Sequence, residues 1–317
     1  MCERSGTMFE GSITDVRGIR VGQAQNEQAR TGVTVVLAEG DGATVAADVR
    51  GAAPGTRETD LCRPENTVEM ANAVVLAGGS AFGLASATGV MEWLEKQNIG
   101  VDMGVCHVPI VPAAVVFDLM VGDAHVRPDA AMGIAACEAA GTKVKQGAVG
   151  AGCGATVGKM IPGAVPQQGG VGTASIRLPG GVTVGAIAVV NACGDVFDIQ
   201  NGQPIGCGHL PDGTPVLCEQ MIGADLSAMQ SGKNTTIAVV ATDAALTKAQ
   251  AQRLATCAHD GYARAIRPVH TQMDGDTVFA LATGKAEGSA HPVQLCAAAA
   301  EAMARAINNA IWAGQQA

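Results

Sequence analysis

A single α/β domain of stacked, mainly antiparallel sheets flanked by helices is what this sequence predicts, on three observations. Short β-branched runs recur along the chain, helical periodicity appears in separate stretches, and no βαβ rhythm is sustained. Composition agrees. Hydrophobic residues make up 48% and charged residues 15%, ample for a large buried core in 317 residues. Aromatic residues are only 3% while there are 42 glycines, so layers must meet through small side chains at close approach.

The strand candidates are TGVTVVLA from Thr31, ATVAADV from Ala43, ASIRL from Ala174, VTVGAIAVV from Val182 and TTIAVVATD from Thr235. EGDG joins the first two and PGG the next two, so each pair reads as an antiparallel hairpin. A helix fits Ser80 to about Lys96, with Leu84, Ala87, Met91 and Leu94 on one face, and a second fits Asp129 to Ala140. Thr247 and Gln250 form a capping box ahead of a helix burying Leu254, Cys257 and Ala258. From Val293 to Ala313 the chain is apolar nearly all round, with Leu295, Ala299, Met303, Ala306 and Ala310 its densest stripe, which predicts an enclosed helix. The Gly/Pro-rich segment from Gly158 reads as a loop beside a site.

The net charge of -9 argues against nucleic acid or an anionic membrane as partner and leaves a small molecule or short peptide. Ten scattered cysteines include no CxxC pair, and the start, MCERSGTMFEGS, lacks the apolar stretch of a secretory signal, so a reducing cytoplasm is expected. The six histidines have no HExxH-like spacing, so neither a metal nor another cofactor is expected. His270, four residues before Asp274, is read as a structural histidine in the region of that carboxylate.

Five places carry candidate chemistry, each with an ordinary alternative. In AVVLAGGSAFGLA a strand runs through Gly78, Gly79 and Ser80 into a helix, which either makes a tight turn or turns backbone N–H groups toward an anion. In SGKNTTIAVVATDA, Thr235 is either a β-former or a hydroxyl able to attack the Asn234 carbonyl. The latter leaves a threonine whose own α-amine, with an unperturbed pKa of about 7.7–8.0, can act as its base. In HTQMDGDTVFALAT, Asp274 and Asp276 either point jointly to one side of an extended chain or form a turn bonded to its own backbone. Lys159 is either a solvated lysine or a cation that lowers a nearby amine's pKa; Asn191 is either a turn former or an amide donor to an oxyanion.

These pieces stand in one order with RGAAPGTRETDL from Arg50, GAGCGATVGK from Gly150 and VVNACG from Val189. The set resembles the L-aminopeptidase/D-esterase and β-aminopeptidase family, and within it the threonine branch that includes nylon-oligomer hydrolase. The resemblance runs from about Ile13 onward. It implies an αββα sandwich, made as a precursor that cuts itself and assembles as a homo-oligomer of αβ pairs. Carried over by motif, the cut falls between Asn234 and Thr235, giving chains 1–234 and 235–317 of the one domain.

The same resemblance implies that Thr235 is the nucleophile, that Lys159 lies near it and that Asn191 serves the oxyanion. Asp274 and Asp276 match a paired-carboxylate position. The chain departs from its relatives at VVFDL, where Phe117 replaces a tyrosine and brings no hydroxyl to the substrate side. Two rivals remain open at this point: an acyltransferase related to ornithine acetyltransferases, and a non-catalytic ligand-binding protein in which Gly78 to Ser80 grip an anion.

Overall fold

The structure is a computed structural model that describes residues 7–223 and 233–315. Cys2 and the start of the chain, and Ser231 and Gly232 of the SGKNTT motif, lie outside the described residues.

Thirteen elements carry the architecture: β1 (Ile19–Asn26), β2 (Thr31–Ala38), β3 (Ala43–Val49), β4 (Ala73–Ala77), α1 (Ser86–Glu95), β5 (Ala113–Val115), α2 (Ala130–Glu138), β6 (Gly170–Arg177), β7 (Thr183–Asn191), β8 (Thr235–Thr242), α3 (Lys248–Ala265), β9 (Thr277–Ala282) and α4 (Pro292–Gly314). One sheet runs β1-β2-β4-β5 and ends in the two-residue strand Thr56–Arg57. The other runs β6-β7-β8-β9-β3 and ends in Met70–Ala71. All neighbours are antiparallel except β4 with β5 and β8 with β9.

Alternation along the strands sorts their side chains into three apolar layers. Val36, Val74 and Leu76 of the first sheet meet Ile187, Val189, Ile237, Val239 and Phe279 of the second in the central layer. Val33, Val35 and Val75 face α1 and α2, while Ala188, Ala238, Val240 and Val278 face α3 and α4. This is a four-layer αββα sandwich. Both faces of β2, β7 and β8 are buried, so their runs read as continuous apolar segments.

The hairpin across PGG forms, pairing Arg177 with Thr183 through Gly170 with Val190. The one across EGDG does not. β2 has β1 on one edge and β4 on the other, leaving no edge for β3, so the link crosses to the second sheet, where β3 pairs with β9. The capping box holds: Thr247 Oγ1 accepts from Gln250 N, and the Gln250 side chain accepts from Thr247 N. The helix expected from Ser80 opens as 3-10 turns over Ser80–Ala85 and becomes α-helical at Ser86.

Close approach of layers is visible at Gly172 in β6, packed against α4. A Cβ there would lie 2.1 Å from Ala306 O and 2.2 Å from Ala310 N, both backbone atoms of a buried helix. Gly172→Ala is therefore expected to destabilise the fold by about 3 kcal/mol or more, read as a lower urea midpoint at unchanged slope. A midpoint equal to wild type would show that α4 can shift freely.

Candidate active site at the start of strand β8

The register of the second sheet assembles the site. Asn191, the last residue of β7, stands directly opposite Thr235, the first of β8. Antiparallel partners share a face, so both side chains turn toward the space between the sheets at the end of these strands. Asn234 forms a parallel bridge with Asp274, which brings the DGD turn alongside. The RGAAPG segment closes the other side: Arg50 N and Gly51 N donate to Asp276 O, and Ala53 N donates to Asp274 O at 2.9 Å.

Thr235 is buried, and its hydroxyl donates to Asn234 O, the carbonyl of the peptide bond preceding it. That same oxygen accepts the Gly275 amide at 3.0 Å. The carbonyl is thus polarised by a backbone donor while a hydroxyl lies against it. Gly275 permits the approach, because a Cβ there would lie 2.9 Å from Thr235 Oγ1 and 2.7 Å from Ala53 O. Asn234 Oδ1 is buried and has no hydrogen-bond partner among the described residues.

Lys159 leaves its glycine-rich loop to reach this point. Its Nζ donates to Asn191 O and Asn191 Oδ1 at 2.9 Å each, and to Lys233 O at 3.4 Å. Burial pushes its pKa down to about 7, against the opposing pull of Cys193 and Asp274. Three acceptors match the three donors of an ammonium. Asn191 Oδ1 also accepts Thr156 N at 3.0 Å, and Asn191 Nδ2 donates to Phe117 O at 3.2 Å. What meets Asn191 from residue 117 is therefore its main chain; the aromatic side chain plays no part in that bond.

The two carboxylates both turn toward the 270–271 loop, with different partners. Asp274 Oδ2 accepts from Thr271 N at 3.0 Å and Thr271 Oγ1 at 2.5 Å, so this residue closes a turn on its own backbone. Burial, then the neighbouring Asp276 charge, raise its pKa. Asp276 reaches across to β8, where Oδ1 accepts Thr236 N at 2.7 Å, while Oδ2 accepts from His270.

The GGS turn presents a different picture from a bare anion cradle. Gly78 N donates to Gly32 O and Ser80 N to Val116 O, both at 2.9 Å, and Gly79 N donates to Asp118 Oδ1 at 2.7 Å. All three amides are committed within the protein. Gly79 and Ser80 both take positive φ, 77° and 54°, and buried Asp118, which also accepts from Thr31 Oγ1, holds that strained turn. Sequence reasoning missed Asp118 and the Gly275 amide. Asp118 adjoins Phe117 in the VVFDL segment, but its partner lies 39 positions away.

Among the described residues no group of three or more His, Cys, Asp or Glu side chains could hold a metal ion, and no helix is long and apolar enough to cross a membrane.

Comparison with known proteins places this sandwich among hydrolytic enzymes. The model of peptidase family S58 matches residues 11–317, and the chain belongs to that family. It is similar to an uncharacterized aminopeptidase of Mycobacterium tuberculosis, 50% identical over 288 residues that cover 86% of this chain and 81% of that protein. A 6-aminohexanoate-oligomer endohydrolase of Kocuria sp. is 33% identical over 278 residues, covering 85% and 74%. Among solved structures, a Burkholderia sp. β-aminopeptidase superposes with a TM-score of 0.70 at 26% identity, covering 97% of this chain and 88% of that one.

Proposed function

We propose that this peptidase cuts its own chain between Asn234 and Thr235 and then hydrolyses N-terminal amino-acyl or small oligoamide bonds with Thr235 as nucleophile. The observation that carries this reading is the Thr235 hydroxyl lying against the Asn234 carbonyl, whose oxygen already receives the Gly275 N–H. Attack by Oγ1 on that carbonyl carbon gives an ester, with the nitrogen leaving as the Thr235 α-amine. Water then opens the ester, freeing the Asn234 carboxylate and the threonine hydroxyl.

In turnover the α-amine takes the hydroxyl proton as Oγ1 attacks the substrate carbonyl, and returns a proton to the leaving amine. Asn191, opposite Thr235, is the side-chain donor suited to the tetrahedral oxyanion. The Lys159 ammonium beside it lowers the amine's pKa and keeps it unprotonated. Asp276 fixes the backbone immediately after the nucleophile, and Asp274 shapes the turn that presents Gly275. The acyl-enzyme ester is then hydrolysed. Phe117 and Ser80 lie toward the substrate side in this reading and bear on which acyl groups fit.

The sheet order explains how two fragments would stay together. β8 and β9, both from 235–317, are enclosed between β7 and β3 of the longer fragment. Separation would strip two buried strands from a sheet, so the fragments stay as one αβ pair, and we expect such pairs to assemble as homo-oligomers. We expect the enzyme to work in a reducing cytoplasm, where its ten scattered cysteines stay as thiols.

The substrate reading is tested by incubating the purified protein with 6-aminohexanoate oligomers and with β- and α-aminoacyl p-nitroanilides. Release of free amine, with a transient acyl mass on the fragment that begins at Thr235, supports it. Transfer of the acyl group to added amino acids in preference to water would favour the acyltransferase instead.

A further inference from the structure

Behind β8, on the face covered by helices, lies a group of rings that the reaction above does not use, His259 and Tyr262 buried and His270 half-buried. His270 Nδ1 is 2.8 Å from Asp276 Oδ2, and the His270 amide donates to the same oxygen at 3.0 Å. The other oxygen of Asp276 holds Thr236 N–H, one residue beyond the nucleophile. From α3, Tyr262 donates its hydroxyl to Thr236 O and Thr277 O, each at 3.2 Å, and stacks on His270 at 5.7 Å. His259 packs edge-on to His270 at 4.7 Å.

Each ring's role follows from its partner. His259 Nε2 lies 2.9 Å from Asp48 O, a carbonyl that can only accept, so this nitrogen carries the proton. Burial pushes the His259 pKa down to about 4, and burial raises that of Tyr262, so both rings are neutral at pH 7. Asp276 Oδ2 already accepts the His270 amide, so it is an acceptor and the ring nitrogen facing it is the donor. His270 also holds φ at +57°, a backbone conformation costly for a residue with a side chain and kept only where the surroundings enforce it.

We infer that His270 is a positioning residue: by donating Nδ1–H to Asp276 it aligns the carboxylate that grips Thr236 N–H, and so sets the direction of the Thr235 side chain. The inference rests on Thr235 being the nucleophile. In the uncut chain Thr235 has a second hold, through Asn234 O on the Gly275 amide. Breaking the Asn234–Thr235 bond removes that hold from Thr235, whereas the Asp276 bond to Thr236 survives the cut. His270 therefore matters more to turnover than to self-cleavage, a division that a merely structural histidine would not produce.

Two full-length variants separate the side chain from the backbone requirement, since Asn and Gly both tolerate positive φ. His270→Asn keeps an N–H donor near the position of Nδ1; His270→Gly has none. Intact mass over time gives the extent of cutting, and kcat and KM of the cut enzyme are measured on an aminoacyl p-nitroanilide, with a thermal melt confirming folding. Both variants are expected to cut fully; His270→Asn should keep kcat within about threefold, while His270→Gly should lose about 30-fold or more with KM within about twofold. A His270→Gly enzyme with wild-type kcat, or equal losses in the two variants, overturns the inference. A wild type that stays whole overturns the nucleophile reading itself, and is seen before either variant is made.

Discussion

Thr235→Ala is expected to leave the chain whole and to abolish amide turnover, by on the order of 10⁴-fold or more in kcat. The substitution trims a hydroxyl and a methyl group from one buried strand residue whose hydroxyl bonds only to the adjacent Asn234 carbonyl, so folding should persist and the loss can be assigned to chemistry. Thr235→Ser is the matching control. It keeps the hydroxyl and the latent α-amine, loses only a methyl group, and should still cut and turn over. An alanine variant that hydrolyses amides at the wild-type rate would place the nucleophile elsewhere.

The second large effect is expected at Lys159. Its Nζ is tied to both oxygens of Asn191 and to Lys233 O, so Lys159→Met removes a cation from beside Asn191 and leaves Asn191 Oδ1 with only Thr156 N. The expected loss is about 10²–10³-fold in kcat. The pH profile carries more information. With its pKa lowered to about 7, Lys159 is an ammonium below that point and a neutral amine above it. The ammonium is the form that fills three acceptors and puts positive charge beside Asn191, the donor assigned to the oxyanion, so kcat should fall as pH rises through about 7. That limb should be missing in Lys159→Met. A wild-type profile that is flat over roughly pH 6 to 9, or the same limb in the variant, would contradict the assigned role.

Much of this fold is legible because its strands have both faces buried. TGVTVVLA, VTVGAIAVV and TTIAVVATD read as apolar β-branched runs for that reason, and the stretch from Val293, apolar nearly all round, reads as an enclosed helix because α4 lies against both α3 and the second sheet. β1, IRVGQAQN, was not singled out because four of its eight residues are only half-buried and polar residues interrupt the run. The EGDG link shows the limit of turn chemistry. Glycines at positive φ permit a tight hairpin, but they permit a crossing between sheets equally well, and only the edges left free by β1 and β4 decide.

The site divides in the same way. Thr235, Asn191, Lys159 and the Asp pair are residue types with recognisable chemistry, yet their meeting depends on strand register and on a loop returning from 74 positions away. The GGS amides looked available because nothing local shows that Gly32 O, Val116 O and Asp118 claim them. Phe117 looked like a lost hydroxyl, whereas its carbonyl is what Asn191 uses, an interaction to which the side-chain type is irrelevant. His270 was read as structural; its partner Asp276 places it two hydrogen bonds from Thr236 in β8.

The central claim is that the Asn234–Thr235 bond breaks itself, and intact-protein mass spectrometry on the freshly purified chain tests it most directly. Two fragments of 234 and 83 residues are expected, the smaller beginning at Thr235 with a free amine. A single chain of 317 residues that nonetheless hydrolyses amides would contradict it, since the α-amine on which the mechanism depends would not exist.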